Sequence, residues 1–329
     1  MAQRSGFVSI IGRPNAGKST LLNALVGEKI AIVTEKPQTT RINIQGILNV
    51  KAKGKRLAGQ IVFIDTPGVH KPDSRLNRKM MQEIHSALES RDLVLLLVDA
   101  TDRFGPEDEQ VLELVKRSGA PVFLLLNKVD RLHKERLLPV IERYSKLHAF
   151  QEVIPISALK GEGLDVLLDK VVRALPQSPP YFPEDQLTDQ PERFLASEII
   201  REKVLLQTGK EVPYATAVIV ERFEDKPRLL RIAAAIFCER DSQKAILIGK
   251  GGQKLKQMGT SARMELEKRF GKKVYLELFV KVKPGWRQSA AFVEELDWRR
   301  QLENLSTPLK SFEEPLPRMN AKNSNKVRD

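Results

Sequence analysis

"GRPNAGKST", residues 12–20, is the stretch that decides the fold. Its pattern is G-x-x-x-x-G-K-S, and it sits between unlike neighbours. Residues 7–11, "FVSII", are apolar and strand-like, whereas residues 18–26, "KSTLLNALV", carry a helical pattern. A glycine-rich turn between a strand and a helix is built to cradle phosphate. Gly12 and Gly17 let the backbone through Arg13, Pro14, Asn15 and Ala16 curl, so that N–H groups converge on phosphate oxygens. The helix that follows adds its N-terminal partial positive charge. Lys18 brings a point charge to the β- and γ-phosphates, Ser19 brings a hydroxyl for Mg²⁺, and Thr20 continues the same helical turn.

Outward from this loop, the first half alternates apolar runs with amphipathic ones. Strands are predicted at 7–11, 42–50, 60–65, 92–99, 121–127 and 152–156, and helices at 18–26, 76–90, 105–118, 134–147 and 163–175. The alternation predicts an α/β fold: a mixed, mostly parallel sheet with helices on both faces, over residues 5–175. The runs at 42–50 and 60–65 are joined only by the basic turn "KAKGKRLAG", too short for a crossover helix. They are therefore expected to form an antiparallel edge hairpin.

Three further stretches end strands, where open α/β sheets bind ligands. In "DTPG", Asp65, Thr66, Pro67 and Gly68, the carboxylate can hold Mg²⁺ through water and the Gly68 N–H can meet a γ-phosphate. In "NKVD", Asn127, Lys128 and Asp130 are the candidates. Asp130 can accept from both N1–H and N2–H₂ of guanine, a donor pair that adenine lacks, so the ligands are read as GTP and GDP. In "SALKG", Ser157, Ala158 and Leu159 follow a strand, and the Ala158 N–H is expected to reach guanine O6.

"PQSPPYFPED", residues 176–185, has four prolines within eight residues and cannot continue a helix or a central strand. A linker is placed at 176–190. The second half then reads helix (191–207), strand (214–223), strand (229–239), helix (242–247), helix (253–270), strand (272–282), an α+β order. "ILIGKGGQKL", residues 246–255, is glycine-rich but lacks the hydroxyl that follows the lysine in the first loop. Gly249, Lys250, Gly251 and Gly252 match instead the G-x-x-G loop of a type II KH domain, which clamps the backbone of single-stranded RNA. Lys254 adds charge, and Ile246 and Ile248 are expected to line a groove for bases. Between Lys244 and Arg287 twelve Lys/Arg face three Glu. Trp286 and Arg287 are expected either against RNA or, preferably for Trp286, packed on the core. The RNA-binding domain is set at 191–288. Residues 289–329 lose periodicity and are expected to be a partly disordered extension.

Composition agrees. A net charge of +13 over 329 residues favours a polyanionic partner. Cys238 is the single cysteine, which excludes an internal disulfide and a cysteine metal cluster and leaves a buried thiol. There is no signal-peptide pattern and no apolar run near the ~18 residues that span a bilayer. A cytoplasmic location is expected.

The first half resembles translation-factor-class GTPases. "TEKPQTTRINI", residues 34–44, is similar to the first switch of the group that includes tRNA-modification and ribosome-assembly GTPases. That similarity implies Thr40 as the second side-chain Mg²⁺ ligand, with Thr39 the alternative. It also implies switches at 31–44 and 66–80, ordered by GTP. With Lys18, Thr40 and Gly68 as the groups acting on the γ-phosphate, the chain is expected to be a GTPase. One residue departs from the Ras-like pattern: Val69 stands where a glutamine orients water. Some relatives place K⁺ there, on an asparagine equivalent to Asn15, so slow hydrolysis stimulated by K⁺ or a partner is expected. His70 as general base is the less favoured reading.

Over about residues 5–288 the chain resembles the Era family of bacterial ribosome-assembly GTPases. The resemblance rests on "GRPNAGKST", "KPQTTR", "DTPG", "NKVD", "SALKG" and "ERDSQKAILIGKGGQKLKQMG". It implies a GTP-driven switch that binds single-stranded 16S rRNA near its 3′ end and assists 30S subunit biogenesis and rRNA processing. It also implies a monomer, with peripheral contact at the cytoplasmic face of the inner membrane as an additional location. The alternative is a signalling or tRNA-related GTPase whose C-terminal domain binds another partner.

Overall fold

A computed structural model of the chain describes residues 3–300, except 53, 55, 56, 70 and 90. His70, part of the basic turn and the extension beyond Arg300 lie outside the described residues. The first half folds as β1 (Arg4–Gly12), α1 (Lys18–Val26), β2 (Ile44–Val50), β3 (Gly59–Asp65), α2 (Arg75–Glu89), β4 (Leu93–Asp99), α3 (Pro106–Ser118), β5 (Val122–Asn127), α4 (Leu137–Leu147), β6 (Glu152–Pro155) and α5 (Leu164–Ala174). The strands form one six-stranded sheet in the order β2-β3-β1-β4-β5-β6. Only β2 runs antiparallel, against β3. This is the predicted edge hairpin.

Strand β4, "LVLLLVD", explains how the sheet is held. Leu93, Leu95 and Leu97 pack into a core with α1 and α5, whereas Val94, Leu96 and Val98 pack into a second core with α2, α3 and α4. A continuous apolar run is what a strand covered on both faces requires. The carboxyl ends of β1, β3, β4 and β5 therefore meet on one edge, where the glycine loop follows β1.

The proline-rich segment does not hang free. The Ile47 N–H donates to the Leu187 C=O (2.9 Å), and the Gln60 side chain bonds both Tyr181 and Phe182 backbones. It lies along the β2–β3 edge and blunts it.

The second half comprises α6 (Glu192–Gln207), β7 (Ala217–Asp225), β8 (Leu229–Cys238), α7 (Asp241–Ile248), α8 (Gln253–Phe270) and β9 (Lys273–Val282). Its three-stranded sheet has β7 antiparallel and β9 parallel to β8. The parallel pair needs a crossover, and α7 and α8 supply it with "GKGG" between them. The strand expected from 214 begins at Ala217 instead. Pro213 has no N–H for a ladder and sits in a 3₁₀ turn, Val212–Ala215. Cys238 is buried.

The described part of the extension is ordered, contrary to its loss of periodicity. After the 3₁₀ turn Trp286–Gln288 comes α9 (Ala290–Glu295). Phe292 and Val293 cluster with Leu76 and Met80 of α2, Trp298 clusters with Ile42 and Phe194, and Arg299 pairs with Glu83 at 2.6 Å. Phe292 and Val293 meet α2 whereas Trp298 meets Ile42 and Phe194, so no single period records them.

Candidate functional site

The loop after β1 reaches its geometry through two left-handed residues, Asn15 (φ 62°) and Gly17 (φ 100°). At Gly17 a Cβ would fall 2.4 Å from Asn127 Nδ2, so only glycine fits. Asn127 is the tie between loops. Its Nδ2 donates to the Ala16 C=O (2.8 Å), and its Oδ1 accepts from the Ala158 N–H (2.9 Å). The Ala158 N–H, expected to reach guanine O6, donates to Asn127 in this structure. Gly68 lies against Pro14, where a Cβ would come 2.8 Å from Pro14 Cγ. Arg13 turns away and pairs with Asp102 and Asp108 at 2.7 and 3.1 Å. Its side chain buttresses α3, leaving only its backbone to the loop.

Lys18 is buried and donates to the Gly12 and Arg13 carbonyls at 2.9 and 2.8 Å. Burial pushes its pKa down to about 8, and the nearby Asp65 carboxylate opposes the shift. The ammonium stays mostly charged at neutral pH.

Ser19, Thr40 and Asp65 converge although 46 residues separate the outer two. Ser19 Oγ lies 2.6 Å from Asp65 Oδ2 and 2.9 Å from Thr40 Oγ1, and Thr40 Oγ1 lies 3.4 Å from the same carboxylate oxygen. Asp65 Oδ1 is buried without a partner among the described residues. Burial lifts the Asp65 pKa to about 6, against the pull of Lys18 and the hydrogen bonds from Ser19, Thr40 and Thr66. A fully oxygen donor set with an orphaned carboxylate oxygen fits a hard divalent cation. Thr39 is elsewhere: its hydroxyl lies 2.6 Å from Thr34 Oγ1 and 2.6 Å from the Lys36 C=O. Val69 is buried with Ile11 and Ile84 and presents nothing to a water.

At the far end of the cleft Ser157 Oγ donates to Asp130 Oδ1 (2.6 Å), which steers an otherwise exposed carboxylate. Lys128 is left-handed (φ 66°) and pairs with Asp99 at 2.5 Å. Leu159 is exposed beside them. The cleft, about 970 Å³, runs from Pro14 and Lys18 past Thr40 and Gly68 to Asp130 and Ala158. Leu206 of α6 closes one wall, a contribution no local motif announces.

The second loop lies between α7 and α8. Gly249, Gly251 and Gly252 all have positive φ (73°, 57° and 75°), and nothing lies within 4 Å of where a Cβ on Gly251 or Gly252 would stand. Lys254 packs on Gly249. A groove of about 390 Å³ starts at Gly252 and follows Leu255, Lys256, Gly259, Thr260 and Arg263 of α8, with Leu276 and Leu278 of β9 opposite. Its apolar wall is thus Leu255, Leu276 and Leu278 and not Ile246 and Ile248. Ile246 faces solvent at 42% exposure, and Ile248 is half-buried at the end of α7. The signal was present in the helical spacing 252, 255, 256, 259, 263 and in a glycine in mid-helix. Trp286 is buried in the domain interface, with Nε1 donating to the Ala215 C=O (2.9 Å).

Residues 7–128 match the family described as 50S ribosome-binding GTPase, and residues 211–287 match the KH domain family. The chain is 50% identical over 297 residues to GTPase Era of Syntrophus aciditrophicus, covering 90% of this chain and 95% of that one. It is 52% identical to GTPase Era of Geobacter metallireducens, covering 90% and 98%. Among solved structures it is similar to a variant of Aquifex aeolicus Era bound to GDP·AlF₄⁻ (40% identity, TM-score 0.85, covering 90% and 99%). It is equally similar to Era in complex with MgGDPNP and nucleotides 1506–1542 of 16S ribosomal RNA (40% identity, TM-score 0.86, covering 90% and 99%).

Proposed function

The chain belongs to the Era family of GTPases, and from that premise we propose that it is a monomeric GTP-hydrolysing switch that binds single-stranded 16S rRNA near its 3′ end and assists 30S subunit biogenesis and rRNA processing. The observation that carries the reading is the union, in one chain, of a phosphate-and-guanine cleft with a glycine–lysine loop opening onto a basic groove.

The loop from Gly12 to Gly17 cradles the phosphates with its N–H groups, and Lys18 balances charge on the β- and γ-phosphates. Asp130, steered by Ser157, accepts from guanine N1–H and N2–H₂. Ser19, Thr40 and Asp65 are the residues that would hold Mg²⁺, which when bound withdraws charge from the phosphate oxygens. The Gly68 N–H meets the γ-phosphate. Water attacks the γ-phosphorus, its bond to the bridging oxygen breaks, and GDP and phosphate leave. Val69 supplies no orienting group, so the intrinsic step is slow. Asn15 donates through Nδ2 to the Glu35 C=O, and its Oδ1 is the group that would hold K⁺, which would supply the missing positive charge.

In the second half, Gly249–Gly252 and the start of α8 grip the sugar-phosphate backbone of about four nucleotides. Lys250 and Lys254 add charge, and the groove beyond takes bases against its leucines. The net charge of +13 also suits peripheral contact with an anionic inner-membrane surface. No helix among the described residues is long and apolar enough to cross one.

GTP turnover and binding of labelled single-stranded rRNA by the full chain test the reading. Lys250→Asp with Lys254→Asp is expected to abolish RNA binding and leave the cleft able to bind nucleotide. RNA binding that survives the double change would overturn the clamp assignment.

A further inference from the structure

Helix α6 belongs by sequence to the RNA-binding half, yet it is buried on both sides. Ala196, Ile199, Ile200 and Val204 face the core of their own domain. Phe194, Glu198, Arg201, Glu202 and Leu206 recur at helical spacing on the opposite face, and this face lies along the first switch. Glu202 accepts from the Val33 N–H (3.1 Å) and pairs with Lys29 (2.7 Å). Arg201 Nη2 donates to the Thr39 C=O. Phe194 packs on Ile42, and Leu206 borders the nucleotide cleft. The contact is reinforced from the other direction by Arg41, whose Nη1 donates to the Thr216 C=O (2.8 Å) and whose guanidinium lies over the Trp286 ring.

Burying two guanidiniums is costly. Arg41 and Arg201 are 7% and 3% exposed, and one carboxylate, Glu198, holds Arg201 through bonds of 2.7 and 2.6 Å. Each also donates to one backbone carbonyl across the domain boundary, Arg41 to Thr216 and Arg201 to Thr39, while Arg41 Nε and Arg201 Nη1 are buried with no partner among the described residues. In a planar trans peptide the carbonyl of one residue and the N–H of the next point in opposite directions. Anchoring the Thr39 C=O on α6 therefore aims the Thr40 N–H away from α6 and fixes the backbone from which Thr40 Oγ1 reaches Ser19 and Asp65.

We propose that α6 is a built-in brace for the first switch, and that Arg201 is a positioning residue for GTP hydrolysis, acting through the Thr39 carbonyl on Thr40. The assignment rests on the GTPase reading above. GDP needs little from this switch, so the brace discriminates between nucleotides.

The test compares full-length wild type, Arg201→Met and Arg201→Lys. Affinities for a non-hydrolysable GTP analogue and for GDP, and the Mg²⁺ dependence of turnover, are the readouts, with thermal melting to verify folding. Arg201→Met is expected to lose about tenfold in GTP-analogue affinity relative to GDP, the worth of one hydrogen bond from a charged donor. Its Mg²⁺ requirement rises in step, and Arg201→Lys falls between the two. A folded Arg201→Met with the wild-type nucleotide ratio and Mg²⁺ curve overturns the brace. If the methionine variant does not fold, an unchanged ratio in Arg201→Lys overturns it equally. Wild-type protein that fails to hydrolyse GTP would instead refute the GTPase reading itself.

Discussion

Replacing Asp130 with asparagine is the sharpest probe of the base end of the cleft. The carboxylate presents two acceptors, and Ser157 Oγ already donates to Oδ1 at 2.6 Å. In Asp130→Asn that hydroxyl keeps the amide oxygen on its own side and turns the NH₂ toward the base. A donor then faces guanine's donors, and both charge-assisted bonds are lost. Asp130 is exposed, so each bond is taken at the low end, about 1.5 kcal/mol. Two lost bonds cost about 3 kcal/mol, about two orders of magnitude in GTP affinity. Xanthine carries a 2-oxo acceptor where guanine carries its amino group, so XTP should gain what GTP loses. Competition of GTP and XTP against a fluorescent nucleotide measures both affinities. A folded Asp130→Asn that keeps GTP affinity within about threefold and gains nothing for XTP would refute the assignment of this carboxylate to the base.

Two further outcomes follow from the phosphate end. Because burial raises the Asp65 pKa to about 6, the nucleotide-free protein holds that proton more tightly than the unfolded chain and loses stability as pH rises through about 6. Asp65→Asn should therefore melt above wild type near neutral pH, with the gap closing in acid, while the Mg²⁺ needed for half-maximal wild-type turnover climbs as pH falls below about 6. An equal melting temperature at neutral pH would count against a net destabilising burial of this carboxylate. Turnover should be faster in KCl than in NaCl, with the difference lost in Asn15→Ala; equal rates in both salts would remove K⁺ from the account.

The sequence was most legible where one element faces one environment. The β4 run reads as a strand because both of its faces meet apolar cores, and Gly17 reads as a loop glycine because Asn127 fills the space beyond it. Thr39 and Thr40 were separated in sequence only by resemblance, and their side chains go to different places in the fold. Leu255, Leu276 and Leu278 were not picked out in sequence, because only the turn into α8 brings Leu255 together with the two β9 leucines. The domain interface was not legible at all. Arg41 with Thr216 and Arg201 with Thr39 are pairs 175 and 162 residues apart, and no periodicity records such a distance. The same holds for Trp298, whose partners Ile42 and Phe194 come from both halves.

The central claim is that the cleft and the clamp are parts of one switch, and the affinity for RNA in each nucleotide state tests it most directly. Anisotropy of a labelled single-stranded segment of the 16S rRNA 3′ end, titrated with full-length protein in Mg²⁺ at fixed salt, gives the dissociation constant with a GTP analogue and with GDP. A switch coupled through α6 predicts binding at least about fivefold tighter with the analogue, the lower range of an ordinary coupling free energy. Identical affinities in the two states would contradict it and leave a GTPase and an RNA clamp that merely share a chain.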